Sequence, residues 1–333
     1  MSGKLLRGLP AQLEDERALG QTEIDYLLLS LPCGCNLECK KCFVGGGERK
    51  TYLSQEKRTD IVEEAKEMGA RVVVIPGEGE PLMEPGIRKM IQYCHSLGMA
   101  TIVFTNATLL DEEFARFAKD SGVSFVISLD SLKEDVYGFL TGGGDFFHKT
   151  VGNIEKLRVI YSDAFSYTGK GEKVVRLAVN AVVTRQNRHE MRHLRDWCGD
   201  DMVFICNSLV REGRAVQHWD KLAGTGEEYK EQRKIALEMS ETHGPTSACQ
   251  DGRCAYLFYG LTVGVDGDIL VCPDARGTKG VIGNVRETTI KELNRMHRGY
   301  LTEFFKRHGY GPCIVRHPEY GRLIEIISPD ALQ

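Results

Sequence analysis

Six runs of apolar, largely β-branched residues recur along the chain, each of strand length: residues 26–31, 71–77, 99–106, 124–130, 174–184 and 202–209. The runs are nearly continuous rather than alternating, as parallel strands are when both faces are covered. The segments between them mix polar and apolar residues at helical period. Residues 54–68 set Ile61, Val62, Ala65 and Met68 on one face. Gly69, Gly98 and Gly122 stand where left-handed C-caps fall, and Asp111 is placed to cap a helix over 112–121. This alternation predicts an α/β fold, an open (β/α)6 partial barrel of TIM-like build. An active site in such a fold belongs at the C-terminal ends of the strands. Further on, residues 265–270 read as a β-hairpin turning at Asp266-Gly267.

Composition narrows the function. The 333 residues suffice for one large α/β domain or for a domain with an appendage, and 42% apolar content is ordinary for a globular core. A net charge of −4 and the lack of a Lys/Arg-rich run argue against a nucleic-acid partner. No apolar stretch approaches the roughly 20 residues of a membrane span, and residues 1–7 lack the apolar core of a signal peptide. A cytoplasmic location is expected. Eleven cysteines in a reducing compartment point to metal or redox chemistry rather than to disulfides.

The chemistry begins just after the first strand. Cys35, Cys39 and Cys42 offer three thiols in C-x3-C-x2-C spacing. A [4Fe–4S] cube takes four ligands, so this loop leaves one iron open, and open positions are what catalytic metal sites keep. The alternatives are zinc, whose knuckles present C-x2-C pairs with a fourth ligand near by, and a disulfide, which suits a secreted chain. The loop resembles that of the radical S-adenosylmethionine (SAM) enzymes. The resemblance implies that the open iron chelates the amino and carboxylate groups of SAM. An electron from the cluster then cleaves SAM to methionine and a 5′-deoxyadenosyl radical. It also implies an electron donor such as flavodoxin or ferredoxin.

Other positions are similar to the family's SAM-holding motifs. Gly79-Glu80-Pro81 resembles its GGE/GEP turn. There glycine lets the backbone approach a ligand, and Glu80 adds a charge-assisted contact to the SAM ammonium. Thr105-Asn106 resembles the T-N-G turn, with Ala107 where the family has glycine. Ser128 and Asp130 share one side of the fourth strand and reach the ribose hydroxyls or the ammonium; Asp130 is equally placed to cap a helix over 132–139. Asn180, if inward, contacts the ribose or adenosyl moiety. Arg185 either pairs with the SAM carboxylate or lies on the surface. Arg211 and Glu212, ahead of Gly213-Arg214-Ala215, face polar substrate groups or solvent.

A second set of thiols follows. Cys254, twelve residues, Gly267, four residues and Cys272 resemble the C-x(9–15)-G-x4-C opening of the SPASM/twitch extension, which carries auxiliary [4Fe–4S] clusters. The dense cysteine run that continues the SPASM pattern is missing. A twitch-like module with one auxiliary cluster is therefore implied, its ligands Cys249, Cys254, Cys272 and Cys313. Cys249 is alternatively a free thiol that returns hydrogen to a substrate radical, and zinc would suit four thiolates equally. Cys206, on the sixth strand, is a second hydrogen-donor candidate if it faces the barrel. Cys94 reads as core and Cys33 as spacing.

The resemblance divides the chain into an N-terminal extension (1–22), the radical SAM partial barrel (23–225) and a small C-terminal iron–sulfur module containing the hairpin (226–333). It implies an enzyme that abstracts hydrogen from an unactivated carbon, with epimerisation, dehydrogenation or dehydration/decarboxylation as the outcome. No leader-binding domain is legible ahead of the first strand, which favours a small molecule: a sugar carbon of an aminoglycoside or nucleoside in antibiotic biosynthesis. Maturation of a ribosomal peptide is one alternative. A non-catalytic zinc or iron–sulfur scaffold is another.

Overall fold

The computed structural model describes residues 4–16, 18–31, 34–44, 51–241, 254–274 and 280–308. Strand β1 (Lys4–Leu6) and helix α1 (Pro10–Glu16) precede β2 (Tyr26–Leu29). Then come α2 (Gln55–Glu67), β3 (Val72–Ile75), α3 (Ile87–Ser96), β4 (Ala100–Thr105), α4 (Glu112–Asp120), β5 (Val123–Ser128), α5 (Glu134–Thr141) and α6 (Phe147–Ile160). Next are β6 (Ser166–Tyr167), β7 (Lys173–Val175), β8 (Leu177–Val183), α7 (Met191–Cys198) and β9 (Met202–Ser208). The remainder is α8 (Arg214–Gln217), α9 (Trp219–Leu222), α10 (Gly226–Met239), α11 (Ala255–Phe258), β10 (Gly260–Val263), β11 (Asp268–Leu270), β12 (Val281–Asn284) and α12 (Ile290–His308).

The expected strands lie side by side and parallel in the order β2-β3-β4-β5-β8-β9, the α/β partial barrel that the alternation predicts. Successive residues on each strand enter different cores. Leu27, Leu29, Val73, Ile75, Phe125, Ile127, Val179, Ala181 and Phe204 pack with helix residues such as Ile61, Ile91, Leu157 and Leu194. Tyr26, Leu28, Val72, Val74, Ile102, Val126, Ala178 and Ile205 form the inner face. Burial on both sides accounts for the unbroken apolar runs. The capping signals also hold. Ser54 and Asp111 accept hydrogen bonds from Lys57 N and Phe114 N, and Gly69, Gly98 and Gly122 adopt left-handed backbone.

Three features depart from the expected outline. Residues 1–22 read as an extension, yet Leu6, Leu9 and Leu13 fill the inner face. Ser124 Oγ donates to Arg7 O at 3.0 Å beneath them. The fifth run, 174–184, is two strands. It breaks at Arg176, whose guanidinium donates to the carbonyls of Lys119 at 2.8 Å and Val123 at 2.7 Å. Ahead of that break β7 leaves the barrel to pair with β1 and β6. The hairpin forms as β10 and β11, antiparallel with Val263 opposite Ile269, and Gly267 takes φ +92° in its turn. It does not stand apart, because β10 pairs in parallel with β2 and extends the barrel sheet to β11 and β12.

Candidate active site

The cysteine loop leaves the C-terminal end of β2 and lies across its neighbours. Glu38 N and Lys40 N donate to Thr141 O and Leu140 O at 3.0 and 2.8 Å. Lys40 Nζ donates to Phe139 O at 2.6 Å and covers the Phe139 ring. Close docking explains the glycine run after α5. A Cβ at Gly143 would fall 2.4 Å from Leu37 Cδ2, and one at Gly142 would fall 3.3 Å from Glu38 O. On the far side Ala215 N donates to Cys42 O at 3.3 Å, so the turn after β9 closes against the loop.

Cys35 is exposed, and Cys39 and Cys42 are partly buried. Burial pushes the Cys39 thiol up to about 12, against the pull of the Lys41 charge; Asp130 and the other two thiols add to the rise. Cys35, exposed at its surface, is still raised by partial desolvation against the surrounding loop, while the Leu37 N–H and the Arg214 charge oppose the rise. Cys42 adds to the rise at both Cys35 and Cys39. No three His, Cys, Asp or Glu side chains are grouped to hold a single metal ion among the described residues. Three soft donors on one loop, one of them open to solvent, fit a [4Fe–4S] cluster with a free corner.

The turn after β3 is built around Gly77. Its φ is +71°, and a Cβ there would come within 2.8 Å of Gly79 O and 2.9 Å of Pro81 Cδ. Glu80 is fully buried and braces this turn. It accepts from Thr105 Oγ1 at 2.7 Å, Asn106 N at 2.7 Å and Leu82 N at 3.1 Å. Burial raises its carboxyl, and the three donors oppose that rise. Most of its acceptor capacity is thus spent joining β3 to β4, and the expected contact to SAM is left with what remains. Gly79 lies half-buried beside it.

The β4 turn reaches the loop directly. Asn106 Nδ2 donates to Asn36 Oδ1 at 3.0 Å and lies 3.9 Å from Cys35 Sγ. Ala107 takes φ +58°, the left-handed conformation that the family's glycine would adopt freely and that costs an alanine about 1–2 kcal/mol. The strain is held by Asn153 Nδ2, which donates to Ala107 O at 2.8 Å, and by Ala107 N donating to Thr105 Oγ1 at 3.0 Å.

Ser128 and Asn180 are register partners, half-buried, with the same parity as the inner-face residues Val126 and Ala178. Asn180 faces inward, as the ribose expectation requires. Asn207 Nδ2 donates to Asn180 Oδ1 at 2.7 Å and extends this polar row to β9. Sequence reading passed over Asn207; its signal was a lone amide closing an apolar run.

Asp130 answers neither of its expectations directly. Its Oδ2 is 2.9 Å from Lys41 Nζ and its Oδ1 accepts from Val182 N at 2.9 Å. It caps no helix: α5 begins at Glu134, and the turn before it is held by Lys133 N donating to Ser131 Oγ. Arg185 lies half-exposed and ion-paired with Glu228 at 3.1 Å, a residue of the α10 capping box. The arginine near the thiols is Arg214 instead. It is partly buried, its charge reaches Cys35, and its Nε is buried with no hydrogen-bond partner among the described residues. Arg211 turns outward over the Trp219 ring.

Cys206 requires a correction. Its neighbour Ile205 takes the inner face, so Cys206 points into the helix-covered core, where Sγ lies 3.7 Å from Met191 Sδ. Burial pushes its thiol up to about 12. It has no line to a substrate in the barrel and is no hydrogen donor. Of the second thiol set, Cys254 and Cys272 meet in one apolar cluster with Leu257, Val271, Tyr300, Leu301, Phe304 and Phe305. Cys33, Cys249 and Cys313 lie outside the described residues.

Comparison with known proteins agrees with this geometry. The family model described as "Radical SAM superfamily" matches residues 29–174. The GTP 3′,8-cyclase of Alkaliphilus oremlandii is 35% identical over 142 residues, covering 41% of this chain and 44% of that protein. The AdoMet-dependent heme synthase of Oleidesulfovibrio alaskensis is 24% identical over 306 residues, covering 88% of this chain and 73% of its own. Streptococcus suis SuiB bound to precursor peptide SuiA superposes with a TM-score of 0.59 at 17% identity, over 90% of this chain and 66% of that one. Native anSMEcpe with bound AdoMet and a peptide gives 0.56 at 19%, over 88% and 84%. At such identities the solved structures establish the fold. The matched region spans under half of the first curated relatives, 44%, 39% and 45% of their lengths. Residues 29–174 are a radical SAM domain.

Proposed function

We propose that this chain is an enzyme that reductively cleaves SAM and abstracts hydrogen from a small molecule, at a sugar carbon of an aminoglycoside or nucleoside. The observation that carries the first part is the convergence of Cys35, Cys39 and Cys42 with the Gly77 turn, Asn106, Arg214 and the Ser128–Asn180–Asn207 row at the strand ends. Cys35, Cys39 and Cys42 would hold a [4Fe–4S] cluster, which would supply the electron for reductive cleavage of SAM. The chain's own residues do the rest. The turn at Gly77 offers carbonyls to the SAM ammonium, and Glu80 holds that turn in place. Ser128 and Asn180 offer hydroxyl and amide to the ribose. Arg214, with its Nε unpaired, takes the carboxylate role expected of Arg185. The apolar inner face below this row keeps water from the reacting carbon.

The second half of the reading concerns residues 226–333. Cys254 and Cys272, with Cys249 and Cys313, hold one auxiliary cluster there, and a ferredoxin or flavodoxin delivers electrons to the first. A nucleotide-like substrate draws support from the cyclase relatives, whose name specifies GTP. Ribosomal-peptide maturation is the second reading, supported by the neighbour solved with its precursor peptide.

Anaerobic reconstitution tests the proposal. Wild type should hold about eight irons and Cys35→Ala/Cys39→Ala/Cys42→Ala about four, with 5′-deoxyadenosine formed from SAM and dithionite only by wild type. Zinc in place of iron, or fully loaded protein that leaves SAM intact, would sink the enzyme reading. Amino sugars, nucleosides and peptides compared as stimulants of SAM cleavage then decide the substrate class.

A further inference from the structure

Lys41 lies in the cysteine loop between Cys39 and Cys42, and its ammonium is withdrawn from solvent. It is 2.9 Å from Asp130 Oδ2, with side-chain exposures of 10% for Lys41 and 2% for Asp130. Asp130 is itself immobilised: Oδ1 accepts from Val182 N at 2.9 Å, and its backbone carbonyl accepts from Asn187 Nδ2 at 2.9 Å. The loop is thus tied on one side to α5 by backbone hydrogen bonds and on the other to β5 and β8 by a buried ion pair.

We propose that Lys41 is a positioning residue for the SAM-cleaving cluster: paired with Asp130, it ties the loop to the ends of β5 and β8, and the two charges balance each other beside the cluster, so that either one alone shifts its reduction potential. The proposal rests on the reading of Cys35, Cys39 and Cys42 as cluster ligands. A cluster gains negative charge on reduction. A fixed cation beside it favours the reduced form and a fixed anion disfavours it, more strongly where water is excluded. Paired, Lys41 and Asp130 largely cancel. Alone, each acts unopposed in a buried site. Single neutralisations therefore move the potential in opposite directions, whereas a brace without electrostatic effect moves it in neither.

The test uses the full chain, reconstituted anaerobically and titrated with dithionite while the paramagnetic signal that responds to SAM is followed. Lys41→Met is expected to make this cluster about tenfold harder to reduce and Asp130→Asn about tenfold easier, each ~59 mV for a one-electron couple. Lys41→Arg and the double variant Lys41→Met/Asp130→Asn should stay near wild type. In the iron-free chain, hydrogen exchange at the amides of residues 38–42 should quicken about tenfold in each single variant. Shifts of one sign, no shift in either single variant, or unchanged exchange overturns the proposal. If Lys41→Met takes up no iron, Lys41→Arg and the double variant decide: loading and potential near wild type in both support it, and loss of loading in Lys41→Arg overturns it. A wild-type chain with no SAM-responsive signal is a separate failure, which removes the ligand reading and the proposal with it.

Discussion

Among the described residues, the two thiol sites have different surroundings. Cys35, Cys39 and Cys42 stand among charges and amides: Lys41, Asp130, Arg214, Asn106 and Asn36. Cys254 and Cys272 stand among Leu257, Val271, Tyr300, Leu301, Phe304 and Phe305. One buried titratable group near them, His297, is held uncharged: burial lowers it to about 4, while its contact with the Val271 carbonyl at 3.0 Å opposes the drop. A site that must admit and release a charged ligand needs polar partners that survive exposure. A site that only stores or passes electrons gains from dryness. The contrast shows one chain building two kinds of cysteine environment at neighbouring parts of one sheet.

Separate loss of each site breaks the comparison most sharply. Cys39→Ala should abolish SAM cleavage. Cys254→Ala/Cys272→Ala should remove about four irons while leaving substrate-free SAM cleavage within roughly tenfold of wild type. Equal loss of cleavage in both variants would mean that the two sites are not distinct. Next in size is Phe304→Ala, which opens a cavity in the dry cluster and should cost about 3–5 kcal/mol in urea unfolding of the metal-free chain.

His297 adds a pH signature to the same region. Its folded pKa lies below the unfolded value of 6.5, so the unfolded chain binds the extra proton first. The stability this burial brings is complete above pH 6.5 and falls as pH drops from there towards 4, by up to about 3 kcal/mol. His297→Gln should flatten that part of the stability curve; an unchanged slope would show that His297 is not held neutral. The smallest expected effect lies in the polar site. Arg214→Ala should raise the KM for SAM about tenfold, roughly 1.4 kcal/mol of lost binding, with folding unchanged. An unaltered KM would return the carboxylate role to another cation.

Local signals carried much of the outline. Strand runs, helix caps, the Asp-Gly hairpin and the cysteine spacing are written within short stretches, because each depends on backbone preference or side-chain period over a few residues. The alternation of elements was enough to predict a parallel α/β barrel with its site at the strand ends. Partnerships across the chain were not legible. Sequence period put Ser128 and Asp130 on one side of a strand, but only packing showed that Asp130 is spent on Lys41. It also showed that Arg185 is spent on Glu228 and that Arg214 is the arginine near Cys35. Cys206 could be assigned a face only once Ile205 was seen to pack inward. The break at Arg176 and the filling of the inner face by Leu6, Leu9 and Leu13 likewise depend on segments far apart in sequence. Sequence by itself determined the six-strand outline of the barrel and which thiols the first loop offers. Tertiary structure alone decided which charges pair and which face each side chain takes, because burial and ion pairing are energies of residues brought together from distant parts of the chain.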